Sequence, residues 1–219
     1  MERAEKERRL ADWPTVEPTK NGPYLVNNLS DLRNSRGEPL ESKPEMRLCR
    51  CGGSSTKPYC DGTHARIGFR GDKSDDRVPD RVDDYKGKMI VIHDNRGVCA
   101  HSGHCTGNLP SVFRLGSEPW IDPDAANPEE MAATIRMCPF GALSYSKDGV
   151  LYKDQDRKLA ITVSKNGPYR VVGRPELEDP EGSNPESKEH FTLCRCGGSA
   201  NKPFCSGAHW HLEFKDDKN

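Results

Sequence analysis

The sequence is short of the side chains that build a large core. Of its 219 residues only 33% are hydrophobic and 7% aromatic, against 31% charged, and it holds 20 glycines and 17 prolines. A chain so composed is either rich in loops or held together by something besides apolar burial. Bound metal is a common solution, because its binding free energy becomes folding free energy. Net charge is nearly absent too, at −1 from 33 basic and 34 acidic residues, so there is no basic field to attract nucleic acid or an anionic membrane. No run approaches the roughly 20 apolar residues of a membrane span. The opening residues, Met1 to Arg9, are mostly charged and lack the apolar stretch of a secretory signal. The expectation is a cytoplasmic protein with no membrane or nucleic-acid partner. Residues 2–9 read as a solvated, helical charge run with Glu2–Lys6 and Glu5–Arg9 at i,i+4 spacing. An even cysteine count is also missing. Nine cysteines cannot all pair within one chain, and in the cytosol they read as metal ligands before disulfides.

What is present is a repeat. Asn21-Gly22-Pro23-Tyr24 recurs as Asn166-Gly167-Pro168-Tyr169, and Leu48-Cys49-Arg50-Cys51-Gly52-Gly53-Ser54 as Leu193-Cys194-Arg195-Cys196-Gly197-Gly198-Ser199. Lys57-Pro58-Tyr59-Cys60 recurs as Lys202-Pro203-Phe204-Cys205, and His64 as His209, always 145 positions on. The constant offset predicts one fold for both copies. Between them lie about eighty residues holding the other three cysteines, so the nine divide three, three and three. The expected organisation is a charged segment over 1–13, a first module over 14–76, a central domain over 77–156 and a second module over 157–219.

Each copy offers Cys-x-Cys, a third Cys nine positions later and a His four further on. The two glycines after the second Cys permit a left-handed backbone and close approach of amides to a ligand. Pro58 and Pro203 stiffen the return to the third Cys. Three thiolates and an imidazole suit zinc or an iron–sulfur cluster, and spacing alone does not choose between them. Arg50, Lys57, Arg195 and Lys202 are candidates to offset cluster charge, with solvated surface the plainer alternative.

Cys49-Arg-Cys51-Gly-Gly-Ser-Ser-Thr-Lys-Pro-Tyr-Cys60-Asp61-Gly62-Thr63-His64, with the upstream Asn-Gly-Pro-Tyr, resembles the signature of CDGSH iron–sulfur proteins, the mitoNEET family. The resemblance covers about 45 residues of each copy. It implies two [2Fe–2S] clusters, one with Cys49 and Cys51 on one iron and Cys60 and His64 on the other. The other would use Cys194 and Cys196, then Cys205 and His209. Ser206 stands where the first copy has Asp61, so the two centres are expected to differ in tuning. Imidazole in place of one thiolate raises the potential, as in Rieske centres, and acid should loosen His64 and His209.

The middle segment has a short strand over Lys88–His93, then Cys99-Ala-His101-Ser102-Gly-His104-Cys105, and later Cys138-Pro139. Ferredoxins bind a cubane through Cys-x2-Cys-x2-Cys and a remote Cys-Pro; here Ser102 takes the middle position. Asn127-Pro128-Glu129-Glu130 starts a helix well, and Met131 and Ile135 mark one face. The stretch resembles a divergent single-cluster ferredoxin domain of the kind fused to CDGSH modules. That implies [3Fe–4S], or [4Fe–4S] with a non-Cys ligand, on Cys99, Cys105 and Cys138, with His101 the first candidate and His104 the second. His93, His190 and His211 have no motif and read as bystanders.

The fold expected is α+β: two small β-rich modules forming an intrachain pseudo-dimer, with the ferredoxin-like domain spanning them. Leu159–Val163 and Tyr169–Val172 read as strands, whereas the first copy lacks an equally clean strand before Asn21. No catalytic triad, phosphate loop or carboxylate pair stands out, so no enzyme is expected. The leading reading is an electron-transfer protein acting as a monomer with a redox partner protein. The alternative is cluster storage or transfer to an apo-protein acceptor, or redox and pH sensing. A zinc-bound adaptor is a distant third.

Overall fold

The computed structural model describes residues 13–219; the charge run over residues 2–9 lies outside them. The first copy contributes β1 (Thr15–Pro18), β2 (Tyr24–Asn27), β3 (Leu32–Arg33), β4 (Glu45–Leu48) and a single-turn helix α1 (Thr63–Arg66). The central segment adds β5 (Val82–Lys86), β6 (Val91–Asn95), α2 (His104–Asn108), α3 (Pro128–Arg136), β7 (Leu143–Lys147) and β8 (Val150–Tyr152). The second copy repeats the first as β9 (Ala160–Val163), β10 (Tyr169–Val172), β11 (Glu176–Leu177), β12 (His190–Leu193) and α4 (Ala208–His211).

β1 is a regular strand, although the residues before Asn21 show no clean strand pattern. Val16 and Pro18 turn inward while Thr15 and Glu17 are half-buried, and the strand pairs antiparallel with β2 from Thr15↔Asn27 to Pro18↔Tyr24. A charge and a proline mask its alternation in sequence, but both fit a strand of which one face is covered.

The copies form a pseudo-dimer by exchanging strands. The sheets run β11-β1-β2-β4 and β12-β10-β9-β3, so each copy's short third strand completes the other's sheet. Val16 pairs with Leu177 and Leu32 with Ile161, both in parallel; the two pairs are equivalent under the 145-residue offset. The seam is also reciprocal. The Tyr24 hydroxyl donates to the carbonyls of Cys194 and Pro203, both at 2.9 Å, and the Tyr169 hydroxyl to those of Cys49 (2.9 Å) and Pro58 (3.0 Å). Both tyrosines are fully buried, with rings edge to face 6.0 Å apart. Each hydroxyl thus gives the Cys194 or Cys49 carbonyl a donor and adds a second one to the Pro203 or Pro58 carbonyl, which already accepts the amide of that cysteine.

The central sheet, β5-β6-β7-β8, is antiparallel throughout. Helix α3 begins as its sequence dictates: the Asn127 side chain accepts from the Glu130 amide, Pro128 follows at the first turn, and Met131 and Ile135 are buried. Among the described residues the domain's long-range hydrogen bonds to the modules fall on the second copy. Asn201 Nδ2 donates to the Gly97 carbonyl at 2.5 Å, Asn95 Nδ2 to Glu186 at 3.3 Å, and the Gln155 amide to Glu189 at 3.3 Å. Gly141, at φ +68°, passes so close that a Cβ would sit 2.7 Å from the His190 carbonyl oxygen. Despite the lean composition, buried side chains from all three parts form one continuous core. Among the described residues no helix is long and apolar enough to cross a membrane.

Candidate metal centres

In each copy the chain leaves its last long strand directly into Cys-x-Cys. The two sulfurs lie 3.8 Å apart for Cys49 and Cys51, and 3.9 Å for Cys194 and Cys196. The third Cys lies just ahead of the single-turn helix that carries the His. Cys60 Sγ is 3.3 Å from His64 Nδ1, and Cys205 Sγ 3.4 Å from His209 Nδ1. A tetrahedral metal with bonds of about 2.3 Å to sulfur and about 2.1 Å to nitrogen would set such pairs roughly 3.8 Å and roughly 3.5 Å apart. The observed spacings fit donors that share a metal two by two. Among the described residues no three His, Cys, Asp or Glu side chains converge on a single ion.

Local backbone prepares the thiols. The hydrogen bond from Cys51 holds Cys49 below the usual thiol range; burial opposes it, and the amides of Ser54 and Gly52 assist it. Cys194 is held down in the same way by Cys196, against burial and with the amides of Ser199 and Gly197. Gly52 and Gly197 adopt φ of +78° and +82° where Cys51 and Cys196 form an antiparallel bridge across the pseudo-dyad. A Cβ on either glycine would lie 2.7 Å from the opposite cysteine's carbonyl oxygen.

The arginine between each cysteine pair is buried, not solvated. Arg50 donates to the carbonyls of Thr19 (3.0 Å) and Gly71 (2.8 Å) and lies over the rings of Tyr24 and Phe69. Arg195 donates to Gly167 and Ser164 and forms an ion pair with the buried Asp216, whose counterpart in the first copy is Gly71. Lys57 and Lys202 fold back onto the Ser54 and Ser199 carbonyls.

The central cysteines, Cys99, Cys105 and Cys138, line one cavity of about 220 Å³ together with Asp94, Arg96, His101, Ser102, His104 and Trp120. The loop after β6 carries Cys99, the first turn of α2 carries Cys105 and the turn after α3 carries Cys138. Burial pushes Cys99 up to about 11 and also raises Cys105 and Cys138. Thiols so placed ionise on binding metal. His101 and His104 are exposed at the rim, and His101 Nδ1 faces Arg96 Nη2 at 3.4 Å. Three residues carry more than the sequence reading assigned them. Tyr24 and Tyr169 were visible only as repeated letters. Asp94, buried in the cavity wall and raised by that burial to about 7, carries no motif. Of the expected bystanders, His93 bonds Asp84 and Ser146, and His190 is buried against Ser187 and Glu189.

Residues 21–65 and 166–210 each match the family model described as an iron-binding zinc finger of CDGSH type, and residues 85–148 match the divergent 4Fe-4S mono-cluster model. The chain carries two CDGSH modules around one divergent single-cluster ferredoxin domain. The CDGSH chain is thus an iron–sulfur protein. It is similar to the uncharacterized protein YjdI of Escherichia coli, in strain K12 and in O157:H7. Each is 38% identical to it over 61 residues, 28% of this chain and 80% of YjdI. No solved structure matches it.

Proposed function

We propose that the chain is a one-electron carrier and not an enzyme. CDGSH module 1 would hold a [2Fe–2S] cluster through Cys49, Cys51, Cys60 and His64, and module 2 another through Cys194, Cys196, Cys205 and His209. The central domain would hold a [3Fe–4S] or [4Fe–4S] cluster through Cys99, Cys105 and Cys138. Such groups supply reversible one-electron chemistry when bound. The residues do the rest: paired donors would fix the metals, buried Arg50 would leave positive charge in the first module where Asp216 neutralises Arg195 in the second, and the buried Tyr24–Tyr169 seam ties the two donor loops together.

The contiguity of the three donor sets carries this reading. Cys51 and Cys196 bridge backbone to backbone, and Gly207, two residues after Cys205, packs on the Ala100 carbonyl beside Cys99. Strand exchange and both tyrosine bonds close within one chain, so the protein is expected to work as a monomer, in the cytoplasm, with a soluble redox partner. Anaerobically purified protein should take up and return electrons over repeated cycles of dithionite and ferricyanide with its iron content unchanged. Loss of iron in the first cycle would reject the reading, and a colourless zinc preparation would reject the cluster assignment itself.

A second reading, cluster delivery to an apo-protein, draws on one observation: Cys60 and His64 are only half-buried, whereas Cys205 is 2% and His209 6% exposed. On that reading, incubation with apo-ferredoxin should move cluster from module 1 and leave module 2 loaded.

A further inference from the structure

Asp94 lies on β6, on the sheet face it shares with buried Ile92, and it lines the cavity of the three central cysteines. It is 1% exposed, and neither carboxylate oxygen has a hydrogen bond of good geometry, the Trp120 side chain being the one donor close to it. A carboxylate removed from water is costly unless it is paired, hydrogen-bonded or bound to a metal. Arg96 attracts the carboxylate from nearby but makes no ion pair or hydrogen bond with it, and its guanidinium is directed elsewhere. Its guanidinium lies 4.7 Å above the Trp120 ring, with Nη1 3.7 Å from Cys99 Sγ and Nη2 3.4 Å from His101 Nδ1. The other oxygen and nitrogen donors of the lining are exposed or occupied: His101, Ser102 and His104 stand at the rim, and the Thr106 hydroxyl donates to the Gly103 carbonyl.

We propose that Asp94 is the fourth donor of the central site, binding through a carboxylate oxygen the one iron that Cys99, Cys105 and Cys138 leave without a ligand. This rests on the cluster reading above and deepens it, selecting the four-iron form and displacing His101 as ligand. The step is a simple ligation. An oxygen lone pair goes to the metal, any proton on the carboxyl leaves to water, and no electron changes hands. A hard carboxylate suits iron less well than a thiolate, so this iron is the one the site surrenders first.

The test uses the full chain purified anaerobically, with iron and sulfide counts and EPR of the oxidised protein. Wild type should hold about eight irons per chain. Asp94→Asn, nearly isosteric, should lose about one iron and show a three-iron signal, whereas His101→Ala should lose none. Retention of all iron in Asp94→Asn would overturn the proposal. So would the same loss in His101→Ala alone, or a wild-type central site that never holds more than three irons. If Asp94→Asn does not fold, Asp94→Cys decides: it should keep the iron count and change the spectrum of the reduced central site, and an unchanged spectrum overturns the assignment. Wild type without iron beyond the two modules would defeat the cluster reading of the central site, whereas loaded wild type with an equally loaded Asp94→Asn defeats only the role of Asp94.

Discussion

The two CDGSH modules share one plan and differ in what covers them. β4 and β12 are the same strand, 145 residues apart, yet β4 alternates exposed and buried positions while β12 is buried along its whole length. The inward residues match: Met46 and Leu48 in one, Phe191 and Leu193 in the other. The outward ones do not. Glu45 and Arg47 face solvent, whereas His190 and Thr192 lie beneath the central domain. The same domain closes over His209 and leaves His64 half open. Repetition therefore sets the donor geometry, and the neighbour sets solvent access. The buried arginines follow this division. Arg195 has its charge balanced by Asp216, whereas Arg50 bonds to carbonyls and lies over rings, with no ion pair among the described residues and Nε unpartnered.

That ion pair gives the largest way to break the comparison. Asp216→Ala would leave Arg195 buried without its counter-charge and should cost about 3–5 kcal/mol, read by chemical denaturation. It should also shift the potential of module 2 upward toward that of module 1, since a buried cation is no longer neutralised.

Next come the glycines of the bridge. Gly52→Ala and Gly197→Ala each force a Cβ to 2.7 Å from the opposite carbonyl oxygen and place alanine at positive φ. Each should cost about 2–3 kcal/mol, and equally, because the seam is symmetric. A marked difference between them in thermal unfolding would show that the pseudo-dyad does not govern the seam's energetics. Tyr24→Phe and Tyr169→Phe sharpen the same point at lower amplitude. Each removes one hydroxyl that serves two buried carbonyls, at about 1–2 kcal/mol, and the double variant should exceed the sum if the edge-to-face rings reorganise together.

The smallest effect separates the modules by pH. Burial, helped by Arg157, holds the His190 pKa below its ordinary value, although Glu189 pulls the other way. The folded form thus takes up a proton less readily than the unfolded chain. The stability contributed is complete above the ordinary histidine pKa of about 6.5 and is lost as pH falls through the lowered value. Module 1 has Glu45 at the equivalent place and lacks this term. Hydrogen exchange should show β12 loosening before β4 on mild acidification, and His190→Gln should flatten the difference.

Much of this was legible in the residues. The 145-residue offset announced two like modules, and Asn127-Pro128 announced α3. What escaped was set by partners distant in sequence. β1 was hidden because its pattern is short and its second edge is covered by β11, some 160 residues away. The burial of Arg50 and Arg195 escaped because an arginine between two cysteines reads locally as surface. Asp94 escaped because a lone aspartate in a strand has meaning only once three cysteines gather around it.

By itself the sequence determined how the cysteines fall into three groups of three, with a histidine following each outer group, since residue type and short-range spacing are local properties of the chain. It also determined that the copies would be alike, because equal segments obey equal sterics. Tertiary structure alone decided that the copies trade strands, that one of them is covered, and which carboxylate faces the central cysteines. Those outcomes depend on burial and on contacts between remote segments, and no local pattern encodes them.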